Sequence, residues 1–207
     1  MFRAAVAIVL TLTVLFSFNT QSHAGKYNKV LSVGDDAPKW KELPASDGSS
    51  YGPEKFRDRQ VLVIVFTCNS CPYSVDYEDR LVAFSKKYCG PKGKVGLVAI
   101  NVNKIEADRL PAMKVRADLK KFGFPYLFDE SQKIARDFGA LRTPQFFVLD
   151  SKRRVVYMGT MDDSSNATRV KKKHVENAVD ALLNGKEIKV SETPPIGCLI
   201  RLERKRR

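Results

Sequence analysis

The sequence predicts an α/β fold, a three-layer sandwich in which a mixed central sheet carries helices on both faces. The unbroken apolar, β-branched run 61–66 and the largely apolar run 95–102 have the pattern of strands covered on both sides. An amphipathic helical stripe lies between them, and a strand-turn-strand unit and a final helix follow. Alternating elements of this kind build one layered domain, and 207 residues suffice for one sizeable core but hardly two.

In chain order, Arg3 supplies a positive start, residues 4–18 an apolar run and Ser22-His23-Ala24 a small-x-small cleavage site. Residues 1–24 are therefore expected to be a secretory signal peptide. The apolar run, at about 15 residues, is shorter than the ~20 that a membrane-spanning helix needs. The competing reading is an uncleaved anchor. Cleavage would leave Gly25 first in a soluble protein of the periplasm or another extracytoplasmic compartment. Residues 25–30 then read as a linker, 31–200 as the domain and 201–207 as a basic tail.

Residues 31–53 are rich in Gly, Pro and Ser and lack helical spacing. The strand at 61–66 comes next, and after Pro72 the residues Tyr77, Leu81, Phe84 and Tyr88 share one helix face until Gly90-Pro91 stops it. Leu110, Met113 and Ala117 mark a second helix whose outer face carries Lys114, Arg116, Lys120 and Lys121. Tyr126-Leu127-Phe128 is a short strand, residues 132–138 a short helix and residues 145–149 a strand entered through Thr143-Pro144. Lys152-Arg153-Arg154 turns the chain into a strand at 155–160. Val175, Ala178, Val179, Leu182 and Leu183 form the last helical stripe, ended by Asn184-Gly185.

Lys and Arg number 36 against 23 Asp and Glu, a formal charge of +13. Much of the excess sits in Lys171-Lys172-Lys173 and in Arg201, Arg204, Lys205, Arg206 and Arg207. Such a tail can adhere to an anionic surface through charge alone, and its bland reading is a solvated end. No specific nucleic-acid partner is expected. The four cysteines are too few and too unevenly spaced for a disulfide-stapled mini-protein.

Cys68-Asn69-Ser70-Cys71-Pro72 carries the chemistry. A C-x-x-C between a buried strand and a helix puts the first sulfur near the helix N-terminus, where unpaired N–H groups favour a thiolate. Cys68 is the expected nucleophile. Cys71, one turn on, can resolve a mixed disulfide at Cys68 and close a Cys68–Cys71 disulfide. A permanent structural disulfide and half of a zinc site are the competing readings, but for the metal no second close pair exists, and His174 is the only histidine left after signal removal. No metal or other cofactor beyond the redox-active disulfide is expected.

The chain resembles the thioredoxin superfamily, and more closely the exported bacterial redoxins of the AhpC/TSA type. Residues 61–73, 124–129 and 143–150 carry the resemblance, with Tyr77-Glu78-Asp79-Arg80-Leu81 and Pro195-Ile196-Gly197-Cys198 adding to it. It implies a thioredoxin-like sandwich, thiol-disulfide exchange with protein or small-molecule thiols and disulfides, and a cis proline at Thr143-Pro144. Backbone groups exposed beside such a proline can pair with an extended substrate.

The sequence also departs from that pattern. Leu62 stands where many thioredoxins have a buried Asp that takes the proton of the second cysteine, and Thr67 replaces the usual Trp. Asn69-Ser70 replaces Gly-Pro, so the family's redox potential does not transfer. Asn69 and Ser70 are candidate donors to a Cys68 thiolate, or simply turn and capping residues. Glu78 and Asp76 are candidate proton relays to Cys71, with solvated helix carboxylates as the commoner case. Cys89 reads as a half-buried filler, and Cys198 as either a third redox thiol or an unpaired tail cysteine. Peroxide reduction is the alternative activity, although Val65 and Val61 replace the Thr and Pro of the peroxidatic motif. A copper-binding redoxin is the non-enzymatic alternative, although it would need a wider cysteine spacing and His174.

Overall fold

A computed structural model describes residues 25–203. The expected signal peptide and residues 204–207 of the basic tail lie outside it. The elements are β1 (Leu43–Pro44), β2 (Ser50–Tyr51), β3 (Val61–Phe66), α1 (Pro72–Tyr88), β4 (Val95–Asn101), α2 (Leu110–Lys120), β5 (Tyr126–Phe128), α3 (Lys133–Asp137), β6 (Arg142–Thr143), β7 (Gln145–Leu149), β8 (Val155–Gly159), α4 (His174–Leu183) and β9 (Cys198–Leu199).

Five strands form the central sheet in the order β5-β4-β3-β7-β8. Strands β3, β4 and β5 run parallel, whereas β7 lies antiparallel to both β3 and β8. The sheet is therefore mixed. All six residues of β3 are at most 1 % exposed, and the alternation of side chains divides them between two cores. Val61, Val63 and Val65 meet Tyr77, Leu81 and Phe84 of α1, Met113 and Ala117 of α2, and Val175 and Val179 of α4. Leu62, Ile64 and Phe66 meet Ile134, Ala135 and Phe138 around α3, with Leu31, Ala45 and Phe56 from the approach segment. Burying each such side chain contributes about 1.5–3 kcal/mol, which fixes β3 as the centre of the molecule.

Both outer strands are covered by irregular chain. Ser46 N–H donates to the Tyr126 carbonyl at 2.9 Å beside β5, and Ala45 bridges Leu127. Along β8, Val155 N–H donates to Asp35 and Met158 N–H to Ser191, at 2.8 and 3.1 Å.

The two ends of the described chain differ from expectation. Residues 25–30, read as a linker, are clipped to the domain: Asn28 is buried and donates to the Phe138 carbonyl at 2.8 Å, and Glu192 accepts from the amides of Lys26 and Tyr27. The first residues of the expected tail are anchored too. Gln132 donates to the carbonyls of Val102 and Arg201 at 2.8 and 2.9 Å and accepts from Glu203 N–H at 2.8 Å. These capping bonds are made by single side chains across long sequence separations, so no local pattern announces them.

Candidate active site

Strand β3 ends at Phe66, and the chain turns through Cys68 to Cys71, the N-cap of α1, with Pro72 at the first helical position. Proline is favoured there because its missing N–H is one the helix would leave unpaired. Thr143-Pro144 is cis and lies against the motif. The Cys71 sulfur donates to the Thr143 carbonyl at 3.0 Å, and Thr143 Oγ1 stands 3.5 Å from the Cys68 sulfur. Cys68 and Cys71 are 3 % and 1 % exposed.

Cys68 and Cys71 lie near enough for a charge on one to be felt by the other, so the pair gives up its first proton more easily than a lone thiol and its second far less easily. Their surroundings decide where that first charge rests. A carbonyl oxygen can only accept, so its contact with Cys71 holds that sulfur protonated. Cys68 instead faces a hydroxyl that can donate. These contacts favour Cys68 as the sulfur that takes the first charge, with Cys71 keeping its proton on the Thr143 carbonyl.

Ser70 and Asn69 serve the loop rather than the thiolate. Ser70 Oγ lies 3.7 Å from the Cys68 sulfur, but its one proton goes to Asp108 Oδ2 at 2.6 Å. Asn69 donates to the Ala107 carbonyl at 2.8 Å and accepts from Tyr126 Oη at 3.0 Å. Of the three side chains, Thr143 alone has a hydroxyl proton to offer Cys68. Thr143→Val keeps the shape and removes that donor, and a hydrogen bond to a charged group is worth about 1.5–3 kcal/mol. The expected result is an upward shift of the Cys68 titration by roughly 1–2 units, read from the pH profile of iodoacetamide alkylation.

The sequence reading overlooked Asp108. Its carboxylate is completely buried and accepts from Ser70 N–H at 2.9 Å, Ser70 Oγ and Asn103 Nδ2 at 3.1 Å, while its carbonyl accepts from Asn101. The signal was present as Asn101, Asn103 and Asp108, polar residues at the end of an otherwise apolar strand and in the segment after it.

Glu78 is corrected in the other direction. It is buried, and Arg116 grips it through Nε at 2.7 Å and Nη2 at 2.8 Å, with Lys120 Nζ at 3.6 Å. Arg116 and Lys120 therefore turn toward α1 instead of facing solvent. Both Glu78 oxygens are engaged away from Cys71, and Asp76 is exposed. Glu78→Gln should leave exchange rates nearly unchanged while lowering stability by about 1–3 kcal/mol, since it leaves Arg116 without its counter-charge; parallel turnover and thermal-unfolding measurements check this.

Cys89 caps the far end of α1, some 25 Å along a 17-residue helix, and burial pushes its thiol up to about 11. His174 opens α4 and stacks on Tyr157 with ring centroids 6.3 Å apart. Cys198, by contrast, comes to the motif: β9 pairs with β6 in the register Thr143↔Cys198. Backbone that the resemblance reserved for a substrate is thus already paired with the chain's own C-terminal segment.

Residues 32–179 match the redoxin family model. The chain belongs to the redoxin family. Among solved structures, it is similar to a hypothetical protein from Sinorhizobium meliloti, at 34 % identity, with 84 % of this chain and 96 % of that one covered and a TM-score of 0.77. An uncharacterized conserved protein from Geobacillus kaustophilus is 36 % identical, over 83 % of this chain and 92 % of its own, with a TM-score of 0.76. The peroxidoxin BcpB from Mycobacterium tuberculosis, 20 % identical with 73 % and 96 % covered and a TM-score of 0.57, shares the fold. No curated protein matches the chain. This redoxin has the thioredoxin-like architecture: the mixed sheet, the helices on both faces and the C-x-x-C loop at the carboxyl end of a central strand are all in place.

Proposed function

We propose that this redoxin is an exported thiol-disulfide oxidoreductase in which Cys68 attacks a client disulfide and Cys71 resolves the mixed disulfide. The observation that carries the reading is the unequal treatment of the two sulfurs by one residue, Thr143, whose hydroxyl faces Cys68 and whose carbonyl holds the Cys71 proton. In the forward step the Cys68 thiolate forms a bond to one client sulfur, and the other client sulfur leaves as a thiolate that takes a proton from solvent. Cys71 then attacks Cys68, the remaining client thiol departs and the disulfide closes.

Protein clients are favoured by the rim. Tyr73 just after the motif, Leu141 just before β6, Ile196 two residues before β9 and Leu199 within it are exposed by 41, 46, 54 and 66 %. Exposed apolar residues gathered around a reactive site suit the flanks of a partially unfolded polypeptide. Export after cleavage at Ala24, a soluble mature protein and adhesion of residues 204–207 to anionic surfaces complete the proposal, and N-terminal sequencing of the secreted product checks the cleavage.

The deciding experiment mixes reduced protein separately with a small disulfide and with hydrogen peroxide and titrates the remaining thiols over time. Faster thiol loss with the disulfide supports exchange. Faster loss with peroxide replaces it with the peroxidase reading. Equilibration in glutathione buffers then gives the reduction potential and hence the direction of client chemistry.

A further inference from the structure

The chain beyond α4 returns to the active site and stops there under several constraints. Strand β9 lies antiparallel to β6, and Arg142 donates to the Gly197 carbonyl at 2.6 Å. Gly197 sits at φ +148, and a Cβ on it would overlap the Thr143 carbonyl, so only glycine allows this approach. Ile200 N–H donates to the Leu141 carbonyl at 2.9 Å, and Gln132 fastens Arg201. The segment is held at both ends of β9.

That docking places a third sulfur beside the pair. Cys198 lies opposite Thr143 in the β6–β9 register, and the Thr143 carbonyl accepts from the Cys71 sulfur at 3.0 Å, which sets Cys198 close to Cys71. Cys198 is half-buried, whereas Cys68 and Cys71 are buried. Thr143 links all three cysteines: its hydroxyl faces Cys68, its carbonyl accepts from Cys71, and its strand partner is Cys198.

We propose that Cys198 is a third redox thiol, an internal client that exchanges with the Cys68–Cys71 disulfide by attacking the Cys71 sulfur. The proposal rests on the exchange reading above. The Cys198–Cys71 bond forms, the Cys71–Cys68 bond breaks, and the proton of Cys198 ends on the displaced Cys68 sulfur. One disulfide replaces another, so no outside oxidant or reductant takes part. Thr143 Oγ1 is positioned to hold the leaving Cys68 sulfur. Burial pushes the Cys198 thiol above its ordinary range, so it gives up its proton as the Cys68 sulfur is displaced. The result moves the oxidising equivalent from the buried pair to the more accessible thiol and leaves Cys68 free.

Trypsin separates the alternatives, because Cys68 and Cys71 share the peptide 60–80 while Cys198 lies on 190–201. After mild diamide oxidation and non-reducing digestion, Cys68→Ser should yield the two peptides joined through Cys71 and Cys198. Cys71→Ser should lose that joined species by at least about tenfold relative to Cys68→Ser, the ratio that corresponds to 1.4 kcal/mol. Wild-type protein, which needs no substitution to fold, should give the joined peptide alongside the internally closed 60–80. A joined species absent from both wild type and Cys68→Ser overturns the proposal, as does one that persists undiminished in Cys71→Ser. Failure of the underlying exchange reading looks different: Cys198→Ser would then not close the disulfide within 60–80.

Discussion

Cys71→Ser is expected to accumulate a covalent adduct with a client disulfide, and Cys68→Ser to react with none. Oxygen is a far weaker nucleophile than a thiolate at neutral pH, so loss of Cys68 should reduce exchange by at least about a thousandfold. In Cys71→Ser the attacking sulfur is intact, and Thr143 Oγ1 still faces it. What is missing is the buried thiol that would release the client. Non-reducing electrophoresis should show a slower band that dithiothreitol removes. Cys198 adds a refinement: if an adduct in Cys71→Ser decays slowly, the double variant with Cys198→Ser shows whether the third thiol supplied the release. Normal turnover by both single variants would mean that the motif is structural.

The second large effect is expected at Asp108. Removing its carboxylate in Asp108→Ala strips partners from Ser70 N–H, Ser70 Oγ and Asn103 Nδ2 in the interior. Each buried group left unsatisfied costs about 1–3 kcal/mol, and partial rearrangement leaves an expected net loss of roughly 3–5 kcal/mol. For a domain of this size that corresponds to a fall of about 10 °C in Tm, measurable by calorimetry. Asp108→Asn separates structure from charge. The nearby carboxylate pushes the Cys68 thiol up, so the amide should preserve most of the stability while moving Cys68 alkylation to lower pH. An unchanged pH profile in a folded Asp108→Asn would remove Asp108 from the electrostatics of the site.

The sandwich was legible because β3, β4, α1 and α4 each carry an unbroken local period. Continuous β-branched runs can bury only as inner strands, and the Val175 to Leu183 stripe can bury only as a helix. The motif and its proline were legible for a related reason, since their spacing sits at element boundaries. Asp108 and the true setting of Glu78 were not legible. Each is a buried carboxylate with a decisive partner 38 residues away, Ser70 for Asp108 and Arg116 for Glu78, and a carboxylate written next to lysines and arginines looks the same whether it faces solvent or a guanidinium. The pairing of Thr143 with Cys198 was hidden for the strongest reason. Strands of two residues have no period, and β9 exists only because Gly197 lets two backbones meet.

The covering of β5 by Ala45 and Ser46, and of β8 by segments on either side of it, bears on how copies of the protein behave toward one another. An outer strand with free amides and carbonyls is a template on which a second sheet can grow, which is the first step of ordered aggregation. Here the chain has filled those ladders from within. Concentrated folded protein should therefore remain monodisperse, and any fibril should form only after the segments around Ala45 or Ser191 have peeled away, so its onset should follow their local unfolding more closely than total concentration.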